Sequence, residues 1–315
     1  MNNKSHAVGI VNALRFKSLE AAINEAMRLI NFNLDREIKQ VAIKPNLCYY
    51  WSSTTGETTD PKFVEALVNI IRTNKKSSEI SIVESDATVM RTKHAFKILG
   101  YEDLASRKGL RLVNLCEDEL LPIPEHLNTS VLRELQIKIP KTLVDADLFV
   151  SVPTLKVHPL PGLSCALKNQ FGCVPIRRKE SLHKRLTDVV ASINRVLAPH
   201  LVVVDGITCR GKYPKKLNLI MTSCDPVAAD FIAAKIAGLN PKRIRHLVKS
   251  EELGVGSTDV ILRGDDWTYF ADRFPRKGFL SNISRRGLLA MYGWYLRFFT
   301  LEGRLFKMRP SATGA

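Results

Sequence analysis

Short apolar runs rich in Val and Ile recur along the chain, separated by stretches in which apolar residues return every three or four positions. The first kind predicts strands: AVGIVN (7–12), QVAIK (40–44), EISIVE (79–84), LRLVNL (110–115), LQIKI (135–139), DLFVSV (147–152), LVVVD (201–205) and LNLIMTS (217–223). Several are apolar at nearly every position, as a strand covered on both faces requires. The second kind predicts helices at SLEAAINEAMRLI (18–30), PKFVEALVNIIRT (61–73), SLHKRLTDVVASINRVL (181–197) and PVAADFIAAKIAG (226–238). Their alternation predicts an α/β fold over residues 1–270: a mostly parallel sheet with helices on both faces, in Rossmann-like layers. A basic, apolar C-terminal helical extension is expected over 271–315.

Two of these helices open on the same device. TTDP (58–61) and SCDP (223–226) each put Asp at the N-cap and Pro at the first helical position, where its missing N–H costs nothing. In open α/β sheets, ligands collect where strand carboxyl ends meet helix starts. Taken singly, each is only a good cap.

Composition narrows the class. The 315 residues are 45% hydrophobic and 25% charged, as in an ordinary soluble globular protein. No run approaches the ~20 apolar residues that span a bilayer, and MNNKSHAVGIVNALRF lacks the apolar centre of a signal peptide. Six cysteines (48, 116, 165, 173, 209, 224) form no CxxC pair, which predicts reduced thiols in a cytoplasmic setting. The net charge of +16 is the outlier. Residues 156–185 hold seven Lys/Arg against one Glu, and 271–315 hold nine against two acids. An anionic partner is therefore expected: a small molecule, a lipid surface or nucleic acid. Against nucleic acid, the first basic segment has Phe171 as its one aromatic residue, and no binding motif is present.

The chemistry concentrates in LKVHPLPGLSCALKNQFGC (155–173). With the preceding strand ending at Pro153, Lys156 and His158 are expected just past its carboxyl end. A helical LSCALKNQF would place Ser164 and Lys168 on one face, with Cys165 and Asn169 beside them. Lys156, His158, Lys168 and Asn169 would then surround one small volume suited to phosphate or carboxylate. Desolvated beside Lys156, Lys168 would act as base or nucleophile, with His158 as a second proton-handling group. The plainer alternative for Lys168 is a surface lysine whose stem covers apolar neighbours. His158 and His183 are a candidate metal pair without a spacing signature, and His183 better fits a plain exposed histidine. Lys44, Asn46, Thr58 and Thr59 are expected at the same edge as further anion-binding groups. Glu84, Asp86, Asp205 and Asp225 would form an acidic rim that orients a lysine or holds a divalent ion through water. Each also fits a turn or a cap.

Taken in order, VAIKPNL, GETTDP, IVESDA, DADLFVSVPTLKVH, LSCALKNQFGCVP, VVVDGI and SCDPVAADFIAAKIAG resemble the bacterial and archaeal family called "domain of unknown function 362". Some members of that family carry ferredoxin-like insertions. This chain has no such cysteine run, so the resemblance implies no on-board iron–sulfur cluster and leaves a separate iron–sulfur protein as a redox or maturation partner. A more distant resemblance is to the N-terminal domain of the nickel-pincer lactate racemase family, where a lysine tethers a nicotinic-acid-derived cofactor and histidines flank the metal. The matching order here is DAD (145–147), DLFVSV, His158, Lys168 and His183. CALKN (165–169) stands where that family has GGK, a departure that argues against covalent attachment.

The extension poses a separate question. GLLAMYGWYLRFF (287–299) is apolar almost all round and flanked by arginines. As a helix it reaches about 20 Å, too short to span. Residues 284–309 thus fit either a docked helix, on this chain or in a homo-oligomer, or an anchor at an anionic membrane surface. The expected function is an enzyme of unknown reaction that binds an anionic metabolite or a nucleotide-derived or metal cofactor. The alternatives are the iron–sulfur partner and a basic surface binder, cytoplasmic or peripheral at the inner membrane face.

Overall fold

Side chains of the central strands point alternately into two apolar cores, one on each face of a single large sheet. Val8 and Ile10, Ala42, Val83, Phe149, Val202 and Val204 enter one core; Ala7 and Val11, Val41 and Ile43, Ile80 and Ile82, Leu148 and Val150, Leu201 and Val203 enter the other. This period of two explains the continuous apolar runs, since neither face meets water. The computed structural model describes residues 6–47, 49–158 and 162–276.

The strands in chain order begin with β1 (Ala7–Asn12), β2 (Gln40–Pro45), β3 (Glu79–Glu84), β4 (Arg111–Asn114), β5 (Leu120–Leu121) and β6 (Ile139–Pro140). They continue with β7 (Leu148–Val152), β8 (Thr154–His158), β9 (Gly162–Ser164), β10 (Leu201–Arg210), β11 (Pro214–Ser223) and β12 (Ile261–Gly264). The main sheet runs β12-β1-β11-β10-β7-β2-β3-β4, with β8 beside β10 and β9 beside β8. From β10 to β4 every neighbour along that path is parallel, whereas β11 is antiparallel to both β1 and β10. β5 and β6 make a small separate pair.

The helices are α1 (Leu19–Leu29), α2 (Pro61–Asn74), α3 (Thr92–Ile98), α4 (Tyr101–Lys108), α5 (Ser130–Glu134) and α6 (Lys141–Val144). Then come α7 (Ala166–Asn169), α8 (Leu186–Val196), α9 (Pro226–Ile236), α10 (Arg245–Glu252) and α11 (Trp267–Ala271). α1, α2 and α4 bury their apolar stripes in one core, and α8, α9 and α10 in the other. Asp60 and Asp225 cap α2 and α9 through backbone N–H groups two residues on, with Pro61 and Pro226 at the first helical positions. The α/β fold with both faces covered is the one the pattern predicts.

Four local expectations are overturned. LQIKI is not a strand: Leu135 ends α5, Gln136 has a positive φ of 50°, and only Ile139–Pro140 pairs. Five residues of alternation are too few to outweigh a left-handed residue in their midst. The chain does not leave the sheet at Pro153; β8 follows at once and stays paired with β10, the neighbour of β7, with Asp205 level with Thr154. Ser164 lies in β9, directly opposite Lys156, so the helix expected from Leu163 is only Ala166–Asn169. SLHKR is a 3₁₀ stretch, Lys179–Arg185, and α8 begins after it.

Residues from 277 onward, including the apolar run 287–299 and the segment 284–309, lie outside the described residues. Packing continues past position 270, for Phe274 is buried and the Pro275 carbonyl accepts from the Lys212 N–H. Among the described residues no helix is long and apolar enough to cross a membrane.

Candidate functional site

Strands β2 and β3 end on charged residues that never reach solvent. Lys44 is 1% exposed, and its Nζ donates to Glu84 Oε2 at 2.8 Å, to Asn169 Oδ1 at 3.3 Å and to the Pro45 carbonyl at 3.0 Å. Desolvating two charges is costly unless they pair and their remaining valences are met. Here they are: Glu84 also accepts from the N–H groups of Leu47 and Ser85.

α7 has only four residues and would not persist alone. Its neighbours hold it. Asp230 of α9 accepts from the N–H groups of Ala166 and Leu167, and Asn194 of α8 donates to the Leu167 carbonyl. Asn169 then fastens it to the sheet by donating to the Lys44 carbonyl and to Ser151 Oγ. Gly172 follows in the next turn. A Cβ there would stand 2.5 Å from Lys44 Cε and 2.6 Å from Glu84 Oε1, so only glycine lets the backbone lie against the ion pair.

These elements enclose a cavity of about 180 Å³ at the carboxyl edge of β2 and β3. It brings together Lys44, Asn46, Glu84, Lys156, His158, Lys168, Asn169 and His183 from the residues singled out in the sequence. Lys156, 3% exposed, reaches it from β8 and donates to the Glu57 carbonyl at 2.5 Å, with Glu57 Oε2 at 3.3 Å. Lys168 and His158 are half-buried in the wall. His183 stands at the rim with its ring 6.0 Å from that of Phe171. Its pKa is lowered, first by partial burial and then by the Lys168 charge.

Five of the expected residues do not line the cavity. Thr59 is buried between strands, accepting from the Asn46 N–H and donating to the Val152 carbonyl. Thr58 is buried nearby, with no hydrogen-bond partner for its hydroxyl. Asp86 turns its carboxylate to the Thr92 N–H and to Asn114. Asp205 accepts from the N–H groups of Asp60 and Ile207, and burial pushes its pKa up to about 7. Asp225 belongs to the other end of the sheet, because β11 runs against β10 and finishes where the parallel strands begin. It caps α9 and accepts from Ser257 N–H and from His6, and α9 with its capping Asp lies on no acidic rim.

Two important wall residues carried no clear signal. Lys179 reads as one basic residue in RRKE, yet it is 6% exposed and donates to Ser85 Oγ at 2.5 Å and to the Asp86 carbonyl at 2.8 Å. Burial lowers its pKa to about 8, a fall that Glu84 and the thiols of Cys116 and Cys173 oppose. Ser85 sits between two acids in VESD, and its hydroxyl donates to the Gly172 carbonyl. Lysines thus outnumber the cavity's carboxylates: Lys44, Lys156, Lys168 and Lys179 against Glu84.

No set of three or more His, Cys, Asp or Glu side chains among the described residues could hold a metal ion. His158 and His183 share the cavity, but four lysines line it with them, and ammonium groups repel a cation. A larger cavity of about 300 Å³ lies near the starts of β2 and β3. Its charges are compensated at the surface, with Lys141 on Glu119 and Arg111 facing Glu79.

Comparison with known proteins gives three findings. The family described as "Domain of unknown function (DUF362)" matches residues 41–235. A thylakoid-associated protein from Synechocystis sp. (strain ATCC 27184 / PCC 6803 / Kazusa) is 29% identical over 135 residues, 39% of this chain. The match spans 42% of that relative's length. The lactate racemase apoprotein from Thermoanaerobacterium thermosaccharolyticum superposes with a TM-score of 0.40 at 15% identity, over 70% of this chain and 56% of that one.

Proposed function

This chain belongs to the DUF362 family, and from that premise and the cavity's charge we propose that it is an enzyme that binds a small anionic metabolite at the carboxyl edge of β2 and β3. One observation carries the reading. The cavity wall holds four lysines and one carboxylate, Glu84, which is already spent on Lys44. A cavity lined by more lysines than carboxylates attracts phosphate or carboxylate, and its hydrogen-bond donors fix the ligand's orientation. Lys168 on α7, with Lys156 from β8, would contact the anion, while Asn169 has both amide protons committed to the Lys44 carbonyl and Ser151 Oγ. His158 and Lys168 would handle protons.

Calorimetric titration of the full chain tests this with inorganic phosphate, pyrophosphate and short mono- and dicarboxylates. Binding that weakens with added salt is expected. A neutral isostere binding as well as the carboxylate defeats the reading.

A second reading concerns location. The relative's printed name associates it with the thylakoid, and residues 284–309 here combine an apolar run with flanking arginines. That composition supports peripheral attachment to an anionic membrane surface. Flotation with anionic and neutral vesicles, comparing the full chain with one ending at Arg276, checks it. Equal flotation of the two removes this reading.

A further inference from the structure

We propose that Ser85 and Lys179 form a nucleophile–base pair that cleaves a small ester or amide bearing an anionic group. The inference rests on the anion-pocket reading for where the substrate's charge sits. Of the three buried lysines in the cavity wall, Lys44 and Lys156 each face a carboxylate within 3.3 Å, Glu84 and Glu57 respectively. Lys179 is instead held by two neutral oxygens, Ser85 Oγ at 2.5 Å and the Asp86 carbonyl at 2.8 Å. Neither oxygen carries a formal charge, although Glu84 nearby favours the ammonium form.

The hydrogen bonds suit both protonation states. As an ammonium, Lys179 donates to both oxygens while the Ser85 hydroxyl donates to the Gly172 carbonyl. As an amine, it keeps the Asp86 carbonyl and turns its lone pair to Ser85, whose proton gains a second acceptor. A serine hydroxyl is a weak nucleophile until such a base stands beside it. Ser85 immediately follows the last residue of β3, and its N–H is fixed by Glu84 Oε1 at 2.9 Å. Both residues line the same cavity as Lys168, whose charge would stabilise a developing oxyanion.

The chemistry balances with water as co-reactant. Ser85 Oγ bonds to the carbonyl carbon as its proton passes to Lys179. The bond from that carbon to the leaving oxygen or nitrogen breaks, and Lys179 protonates the leaving group. Water then adds to the acyl carbon, its proton passing through Lys179 to Ser85 Oγ as the acyl–serine bond breaks. The charged and titratable groups facing Lys179 are Glu84, Lys44, Asp86 and the thiols of Cys116 and Cys173. Burial raises the pKa of both thiols, Cys173 to about 12, which leaves Lys179 as the group that changes charge near pH 8.

The test is covalent labelling of the full chain with a fluorophosphonate probe, which forms an Oγ–P bond and expels fluoride. Peptide mapping is expected to place the adduct on Ser85, with a rate about tenfold higher at pH 9 than at pH 7 for a base titrating near 8. Ser85→Ala should abolish labelling, and Lys179→Met should slow it at least about a hundredfold. Lys179→Arg keeps the buried cation but cannot yield an amine, so it should fail to label while remaining folded. No adduct, an adduct elsewhere, or unaltered labelling of Lys179→Arg overturns the pair. Phosphate titration of the same proteins separates the two ideas: phosphate binding without an adduct defeats the pair alone, and an adduct without phosphate binding defeats the anion pocket alone.

Discussion

Lys44 Nζ and Glu84 Oε2 are 2.8 Å apart at the ends of adjacent parallel strands, and neither side chain is more than 4% exposed. Removing one partner strands the other charge in a medium that cannot solvate it. Lys44→Met should destabilise the chain by about 3–5 kcal/mol. The pair replaced together, Lys44→Met with Glu84→Leu, should recover most of that loss. Urea midpoints of the single and double variants decide it, and additive losses would show that the two residues do not act as a pair.

Glu57 bridges two cations, with Oε1 2.7 Å from Arg210 Nε and Oε2 3.3 Å from Lys156 Nζ. Glu57→Gln keeps the carbonyl that receives Lys156 but removes a negative charge from behind the cavity. Phosphate or carboxylate affinity should rise roughly threefold to tenfold at low salt, and the gain should shrink as ions screen it. Weaker binding in this variant would mean that Glu57 aligns Lys156 rather than offsetting it.

Lys168 is half-buried and occupies a helix that Asp230, Asn194 and Asn169 hold in place without it. Lys168→Ala should therefore leave the melting temperature within a few degrees while weakening anion binding by at least about tenfold. An unchanged dissociation constant would remove Lys168 from the site.

Asp205 gives the fold a pH signature. Burial raises its pKa to about 7, so from about pH 4 to 7 the native state holds a proton that the unfolded chain has released. Its contribution is fully present below the unfolded pKa and is lost as pH rises through about 7. The loss should be on the order of 1–4 kcal/mol. Denaturation at pH 5 and pH 8 should show this decline in the native sequence and a smaller one in Asp205→Asn. Equal declines would place the effect elsewhere.

What the sequence revealed, and what it hid, follows from the range of the forces involved. Continuous apolar strands and Asp-Pro helix starts are local signals, and the layered fold was legible from them. Lys44, Lys168 and Asn169 were legible because each stands at an element's end beside chain-reversing residues. Lys179 was not, since its burial is set by Ser85 and Asp86, more than ninety positions away. Asp225 was misplaced for a topological reason: the rule about strand ends holds for parallel neighbours, and no residue in LNLIMTS records that β11 runs backwards. The β8–β9 hairpin was hidden because Pro153 looks like a terminator, although the chain resumes pairing one residue later, again with β10.

Gly172 has one more implication. Its bare backbone roofs the Lys44–Glu84 couple so closely that ligands and counter-ions are kept off it from that side. Whatever molecule visits the chamber, that side of the couple is closed to it. Bulk at position 172 would prise the lid away and hydrate the couple, and a silent structural element would begin to sense its occupant.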